Sequence, residues 1–185
     1  MLNSTIIIPL LLIYAITSYI IFRNKNISRI RYSIYLCLAI YLSAVIAVTI
    51  FPIPIDKRAI ENTIATGYNT GRYNLIPFKT IIGMASNSNF RITALKNIGG
   101  NILLLMPLGF GVPLIWNKYN HIKKSIVIGL LSTVSIELIQ LLVSTLIGYQ
   151  YRSFDVDDII LNLIGFIMGF IVYKLVYPLR HKLNI

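Results

Sequence analysis

Long apolar runs separated by short basic segments are the main pattern along this chain. Five of these runs approach the length of about 20 mostly apolar residues that a helix needs to cross a bilayer. Charged residues return between the runs, which is typical of loops at a membrane surface. The pattern predicts an all-α, polytopic transmembrane bundle with about five spans, at Ser4–Phe22, Tyr32–Ile53, Ile98–Trp116, Ser125–Ile147 and Asp158–Tyr177.

Composition supports a membrane protein and excludes several other classes. The chain is 56% hydrophobic and 12% charged, whereas soluble domains carry roughly 25% charged residues. The net charge is +11, and the basic residues that produce it lie between the apolar runs. This is the distribution expected of cytoplasmic anchors beside anionic lipid, so we expect no nucleic-acid partner. The single Cys37 excludes an intramolecular disulfide. The two histidines, His121 and His181, lie in basic flanks, which argues against a histidine zinc site.

Lysine and arginine in the short connections predict the orientation. The connections after the first and third runs and the C-terminal end are basic, so with five spans they share the cytoplasmic side. The N-terminus is then outside and the C-terminus inside. The long connection 56–96 is outside by this count, although it carries six basic residues. Its aromatic residues Tyr68, Tyr73 and Phe78 predict an interfacial loop, with a short interfacial or re-entrant helix starting near Pro77.

Glu137 is the one charge in the fourth predicted span. A carboxylate in hydrocarbon costs several kcal/mol or more, so an intramembrane acid is by default a functional-site hypothesis. At a helical rise of about 1.5 Å per residue it lies about 18 Å from the inner end of a core about 30 Å thick, in the outer half. Gln140 is one turn further out on the same face. The plainer alternative is a structural ion pair with Arg152 or Arg91.

Two more predicted spans carry polar side chains at a similar depth. Asn97 and Asn101 stack on one face at the start of the third span. Asp155, Asp158 and Asn162 share one stripe at the start of the fifth span. We therefore expect three helices to close one polar pocket that faces the outer leaflet. The plainer alternatives are a helix N-cap for the aspartates and interhelical hydrogen bonds for the amides.

Glycines in two of the spans predict close helix contacts. Gly165 and Gly169 form a G-x-x-x-G, and the pair Gly99-Gly100 opens the third span. Small residues at such positions let two helices approach closely. Two prolines that flank glycines in the second half of the third span predict an irregular or kinked stretch there.

Four segments, in order along the chain, resemble the VanZ-like family of bacterial membrane proteins. The spacings N-x-x-x-N, E-x-x-Q and R-x-F-D-x-D-D-x-x-x-N-x-x-G make the combination specific. The resemblance implies a multi-pass protein of the bacterial plasma membrane, associated with resistance to teicoplanin-type lipoglycopeptides. It divides the chain into a first span with its cytoplasmic loop, 1–31, and a VanZ-like membrane domain, 32–185. The segments are Asn74-Leu-Ile-Pro-Phe, Asn97-Ile-Gly-Gly-Asn, Glu137-Leu-Ile-Gln-Leu and Arg152-Ser-Phe-Asp-Val-Asp-Asp-Ile-Ile-Leu-Asn-Leu-Ile-Gly.

The first functional hypothesis is a binding role at the outer leaflet. The partners expected are membrane lipids, a lipid-linked wall precursor or a lipoglycopeptide. Amide side chains suit hydrogen bonding to such groups, and Arg152 and Lys79 suit pairing with phosphate. The candidate ligand-binding residues are Asn74, Asn97, Asn101, Gln140, Arg152, Asp155 and Asn162.

Two further hypotheses use the acidic residues differently. An intramembrane enzyme acting on a lipid or polyprenyl phosphate would use Glu137 as general base and Asp158 as a second catalytic residue, although no nucleophile is evident. No cofactor is expected unless Asp155, Asp157 and Asp158 hold Mg²⁺ or Ca²⁺, which prefer oxygen ligands. A small proton-coupled transporter would use Glu137 as its relay. Five spans are few for that role and no inverted repeat is visible, although a homo-oligomer could compensate.

Overall fold

The computed structural model describes residues 1–24, 29–65, 73–86 and 91–180. Helices fill most of these ranges, which also contain one pair of two-residue strands and an isolated antiparallel bridge between Leu2 and Ile53. The all-α prediction is confirmed, and the predictions that concern Tyr68 and His181 lie outside these ranges. The elements are α1 (Ile7–Asn24), α2 (Arg29–Ile50), α3 (Lys57–Ala65), β1 (Tyr73–Asn74), α4 (Lys79–Ser86), α5 (Arg91–Ile115), α6 (Ile122–Leu146), β2 (Phe154–Asp155) and α7 (Val156–Arg180), with short 3-10 turns at Ser4–Ile6 and Asn117–Tyr119.

Four of the described helices, α2, α5, α6 and α7, are long and apolar enough to cross a membrane. The first predicted span forms a shorter apolar helix, Ile7–Arg23. Leucine and isoleucine side chains remain exposed along these helices, as expected where the surrounding solvent is lipid rather than water. A multi-pass membrane protein is thus confirmed. Which terminus lies outside stays a prediction.

The third predicted span differs from α5 in two respects. The helix begins at Arg91 rather than at Ile98, so it includes a polar stretch that an apolar window does not detect. It also stays helical through Pro107 and Pro113. An irregular break around these prolines is therefore not present, and a kink in the helix stays a prediction.

Contacts divide the chain into two compact units, one of residues 1–53 with 175–185 and the other of residues 54–174. In the first unit, α1 and α2 meet through aromatic rings. The Phe22 ring lies 5.1 Å from that of Tyr32, centroid to centroid, and the Tyr32 hydroxyl donates to the Ala15 carbonyl. Every candidate site residue lies in the second unit. The predicted division after residue 31 stays a prediction.

In the second unit, α5 and α7 are in backbone contact. A Cβ atom at Gly165 would lie 1.8 Å from the carbonyl oxygen of Ile102, and one at Gly169 would lie 1.9 Å from that of Met106. Any side chain at these positions would force the helices apart. The G-x-x-x-G prediction of close packing is therefore confirmed.

Other glycines behave differently from one another. A Cβ at Gly109 of α5 would lie 1.9 Å from the carbonyl oxygen of Phe166, so α5 also contributes a glycine to this crossing. Gly99 and Gly100 face open space, with nothing within 4 Å of an added Cβ. The prediction that this pair mediates close packing was wrong, because neither glycine lies against another helix.

The buried face of α6 is polar along the length of the helix. Its exposed positions include leucines and isoleucines, because hydrocarbon accepts apolar side chains and cannot solvate polar ones. Glu137 and Gln140 lie on this buried face, which confirms that they share one side of α6. The spacing of three or four residues forms a single stripe of Ser125, Gly129, Thr133, Glu137, Gln140 and Ser144.

Candidate functional site

A short parallel strand pair joins the segment before α4 to the start of α7. Tyr73 pairs with Phe154, and Asn74 pairs with Asp155. The first and last of the four segments singled out in the sequence are therefore neighbours in space. This pairing places α4 at the same end of the second unit as the first turn of α7.

Asp155 connects three elements through one buried carboxylate. Its Oδ1 accepts hydrogen bonds from the Asp157 backbone N–H at 2.8 Å and from Asn74 Nδ2 at 2.8 Å. Its Oδ2 accepts one from the Thr80 hydroxyl at 2.6 Å. The bond to Asp157, two residues on, is that of a helix N-cap, so the plainer interpretation of Asp155 is confirmed. The same carboxylate also ties β1 and α4 to α7.

Glu137 reaches this group from α6. Its side chain is 2% exposed, and Oε2 accepts a hydrogen bond of 3.0 Å from the Asp155 backbone N–H. That N–H lies at the start of α7, where the helix dipole favours negative charge. Arg152 interacts electrostatically with Glu137, so the ion-pair alternative stays open for Arg152. The side chain of Arg91 lies outside the described part of the structure.

Asp157 caps α4 from the first turn of α7. Its carboxylate accepts hydrogen bonds from the backbone N–H groups of Phe78, Thr80 and Ile81, the last two at 2.8 and 3.1 Å. Phe78 has φ of +65°, in the left-handed region that costs a residue with a side chain roughly 1–2 kcal/mol. Hydrogen bonds to a charged group contribute about 1.5–3 kcal/mol each, so the carboxylate more than offsets that cost. The predicted short helix near Pro77 is present as α4.

Asn101 links α5 to α7. Its Nδ2 donates to Asp158 Oδ1 and lies 3.5 Å from Asn97 Oδ1. This contact is an interhelical hydrogen bond, which is the plainer alternative given above for the amide side chains. Asn162 lies one turn beyond Asp158 on α7 and is 1% exposed. Its Oδ1 has no hydrogen-bond partner among the described residues, which makes it a candidate acceptor for a ligand group.

The predicted residues thus fall into two linked groups around the first turn of α7. Asn74, Asp155 and Glu137 form one group, and Asn101 and Asp158 form the other. Gln140 is buried one turn beyond Glu137 on α6. Arg152 is exposed just before β2.

Sequence reasoning missed Thr80 and the capping role of Asp157. A usable signal for Thr80 was present, since it is a hydroxyl residue in the otherwise largely apolar stretch 75–82, three residues after Pro77. Asp157 carried no such signal, because its partners are 76 to 79 positions away. Both residues fix α4 in place.

The aspartates do not fit the predicted Mg²⁺ or Ca²⁺ site. Among the ranges that the structure describes, no group of three or more His, Cys, Asp or Glu side chains is placed to hold a metal ion. The carboxylates of Asp155 and Asp157 face N–H and O–H donors, and those positive ends would repel a cation. Metal binding by Asp158 stays a prediction.

Comparison with known proteins adds one finding. The family model described as VanZ/LLP1 matches residues 38–177. The match spans all the residues of the two linked groups and most of the chain. Neither the curated proteins nor the solved structures compared with the chain gave a match.

Proposed function

This chain belongs to the VanZ/LLP1 family, and on that basis we propose that it binds the polar headgroup of a lipid-anchored molecule in the bacterial plasma membrane. The binding residues surround the first turn of α7 and face the outer leaflet. The ligand is a lipid, a lipid-linked wall precursor or a lipoglycopeptide. Binding of this kind would connect the protein to teicoplanin resistance.

One observation carries the proposal: polar side chains from β1, α5 and α6 converge on the first turn of α7. In a purely structural network the polar groups form hydrogen bonds with one another, and most of the polar groups here do so. Asn162 Oδ1 departs from that rule within the described residues. An unsatisfied buried acceptor costs about 1–3 kcal/mol. A water molecule or a ligand group that reached this buried oxygen would remove the cost, so the convergence of the polar side chains carries the proposal.

Charge divides the site into an acidic interior and a basic rim. Glu137 and Asp158 are buried or half-buried acids, so a phosphate in contact with them is repelled. Arg152 and Lys79 are exposed, and a guanidinium binds phosphate in a bidentate manner. We therefore place a ligand phosphate at Arg152 and its neutral hydrogen-bonding groups further inside.

The test is ligand-dependent thermal stabilisation of the purified protein in nanodiscs. A polyprenyl phosphate and a lipoglycopeptide are the probes. The Arg152→Ala variant is expected to lose the upward shift in melting temperature that the phosphate lipid causes. Lys123→Ala removes a positive charge from the start of α6 and serves as the matched control, with the shift retained. An unchanged shift in Arg152→Ala would refute the placement of the phosphate.

An intramembrane enzyme is the second candidate, and one observation favours it. Glu137 accepts the N–H at the start of α7, and Asp158 lies in the first turn of the same helix; a pair of acids can divide the roles of base and acid. Glu137 Oε2 accepts the Asp155 N–H, so Oε1 is the oxygen that would take a proton. Release of inorganic phosphate from a polyprenyl phosphate, abolished in Glu137→Gln with the melting temperature retained, would establish this function. Equal release by both forms would exclude Glu137 as the base.

A further inference from the structure

A pocket of about 80 Å³ lies at the end of α6, next to the residues already described. Two contacts connect it to the site. Tyr73, in its wall, directly precedes Asn74 in β1. Ser144, also in its wall, donates a 3.2 Å hydrogen bond to the backbone carbonyl of Arg152. The pocket therefore borders the basic rim and is separate from the acidic interior.

The chemistry of the wall limits what the pocket can hold. Tyr73 and Tyr149 supply aromatic rings, Ser144 and Thr145 supply hydroxyl groups, and Gln150 supplies an amide. The described residues of the wall include no Asp, Glu, Lys or Arg, so a charged group in contact with them would lose hydration without a counter-charge. The hydroxyls of Ser144 and Thr145 already donate to the carbonyls of Arg152 and Leu141, so they offer a ligand acceptor oxygens and favour one that carries hydrogen-bond donors.

A neutral ring that carries hydroxyl groups satisfies both limits. Its C–H face packs on a tyrosine ring, and its hydroxyls bond to the Ser, Thr and Gln side chains. A cavity of about 150 Å³ holds one benzene ring, so the pocket volume of about 80 Å³ admits part of one ring. A single sugar ring, entering from the open side, is the chemical class that fits.

We propose that this pocket binds a sugar ring that is joined to the phosphate held at Arg152. The inference rests on the proposed function, which places that phosphate at the rim. The Ser144 contact brings the pocket wall to the backbone of Arg152, so a sugar attached directly to the phosphate has only a short distance to span. The ligand class is therefore a glycosylated lipid phosphate rather than a plain phospholipid.

Affinity measurements with two matched lipids in nanodiscs test the inference. One lipid is a polyprenyl phosphate, and the other is the same lipid with a single sugar on the phosphate. One stacked ring with a hydrogen bond corresponds to about tenfold in Kd. Wild type is expected to bind the glycosylated lipid tighter by that factor. Tyr149→Ala is expected to abolish the difference while its affinity for the unglycosylated lipid stays unchanged.

Controls separate local from general effects. Thr145→Val keeps the side-chain shape and removes one hydroxyl, so it is expected to reduce the sugar preference without unfolding the protein. Tyr14→Ala removes a tyrosine from α1 and should keep the full preference. Equal binding of the two lipids by wild type overturns the sugar pocket and leaves the proposed function standing. Binding of neither lipid overturns both. A water-soluble sugar phosphate that competes at equal affinity overturns the lipid-linked class.

Discussion

Asp157→Asn tests whether the capping carboxylate holds α4 on α7. The native carboxylate accepts three backbone N–H bonds with its two oxygens. Asparagine has one acceptor oxygen, and its NH₂ group would face N–H donors on the other side. The substitution thus removes at least one charge-assisted bond, each worth about 1.5–3 kcal/mol, and the interaction with the α4 dipole, worth about 0.3–1 kcal/mol. The expected loss of local stability is about 2–4 kcal/mol.

Amide hydrogen exchange, followed residue by residue, is the assay. At 1.4 kcal/mol per factor of ten, the amides of Thr80 and Ile81 should exchange about 30- to 1,000-fold faster in Asp157→Asn. Amides in the middle of α6 should keep their protection, because the effect is local. Asp56→Asn is the control, since the Asp56 carboxylate accepts one N–H bond, from Arg58, at an exposed position. Unchanged exchange at Thr80 and Ile81 would refute the capping argument.

Three other tests by substitution follow from the same contacts. Gly165→Ala places a Cβ 1.8 Å from the Ile102 carbonyl oxygen and should lower the free energy of unfolding by about 1–3 kcal/mol. Its control, Gly99→Ala, lies in open space and should leave the melting temperature equal or higher. Equal losses of stability in the two variants would contradict the account of helix packing. Glu137→Gln keeps an acceptor for the N–H at the start of α7 and should melt near the wild-type temperature. Glu137→Ala removes the acceptor and should lower the free energy of unfolding by about 1–3 kcal/mol. Equal melting temperatures of the two variants would argue against that hydrogen bond. Phe78→Gly relieves a positive φ and should recover roughly 1–2 kcal/mol of the stability lost in Asp157→Asn. The recovery is measured as slower amide exchange in the double variant than in Asp157→Asn alone. No recovery would show that the backbone at residue 78 is not strained.

The acidic residues divide between architecture and candidate chemistry. Asp155 and Asp157 hold β1 and α4 against α7, which gives two of these three aspartates a structural role. Glu137 supports the same arrangement through the Asp155 N–H. Asp158 contacts an amide of α5 instead. A loss of function in an Asp155 or Asp157 variant would therefore report on the position of α4 as well as on ligand contacts.

The membrane class, the long helices and the family could all be predicted from the amino-acid sequence. These features are local: an apolar window of about 20 residues identifies a span, and the family segments are short runs with fixed internal spacing. Residues on one helix could also be placed on one face, as Glu137 and Gln140 were. The periodicity of a helix carries that information within two turns.

Contacts between residues of different helices and strands could be identified from the tertiary structure alone. Asp157 caps a helix whose amides lie 76 to 79 positions earlier, and no periodicity in the sequence connects such partners. Gly99 and Gly165 are the same residue type in apolar helices, yet one faces open space and the other a carbonyl oxygen. The difference depends on which face of each helix lies against its neighbour. That choice depends on the packing of all the helices together, so a single segment does not contain it.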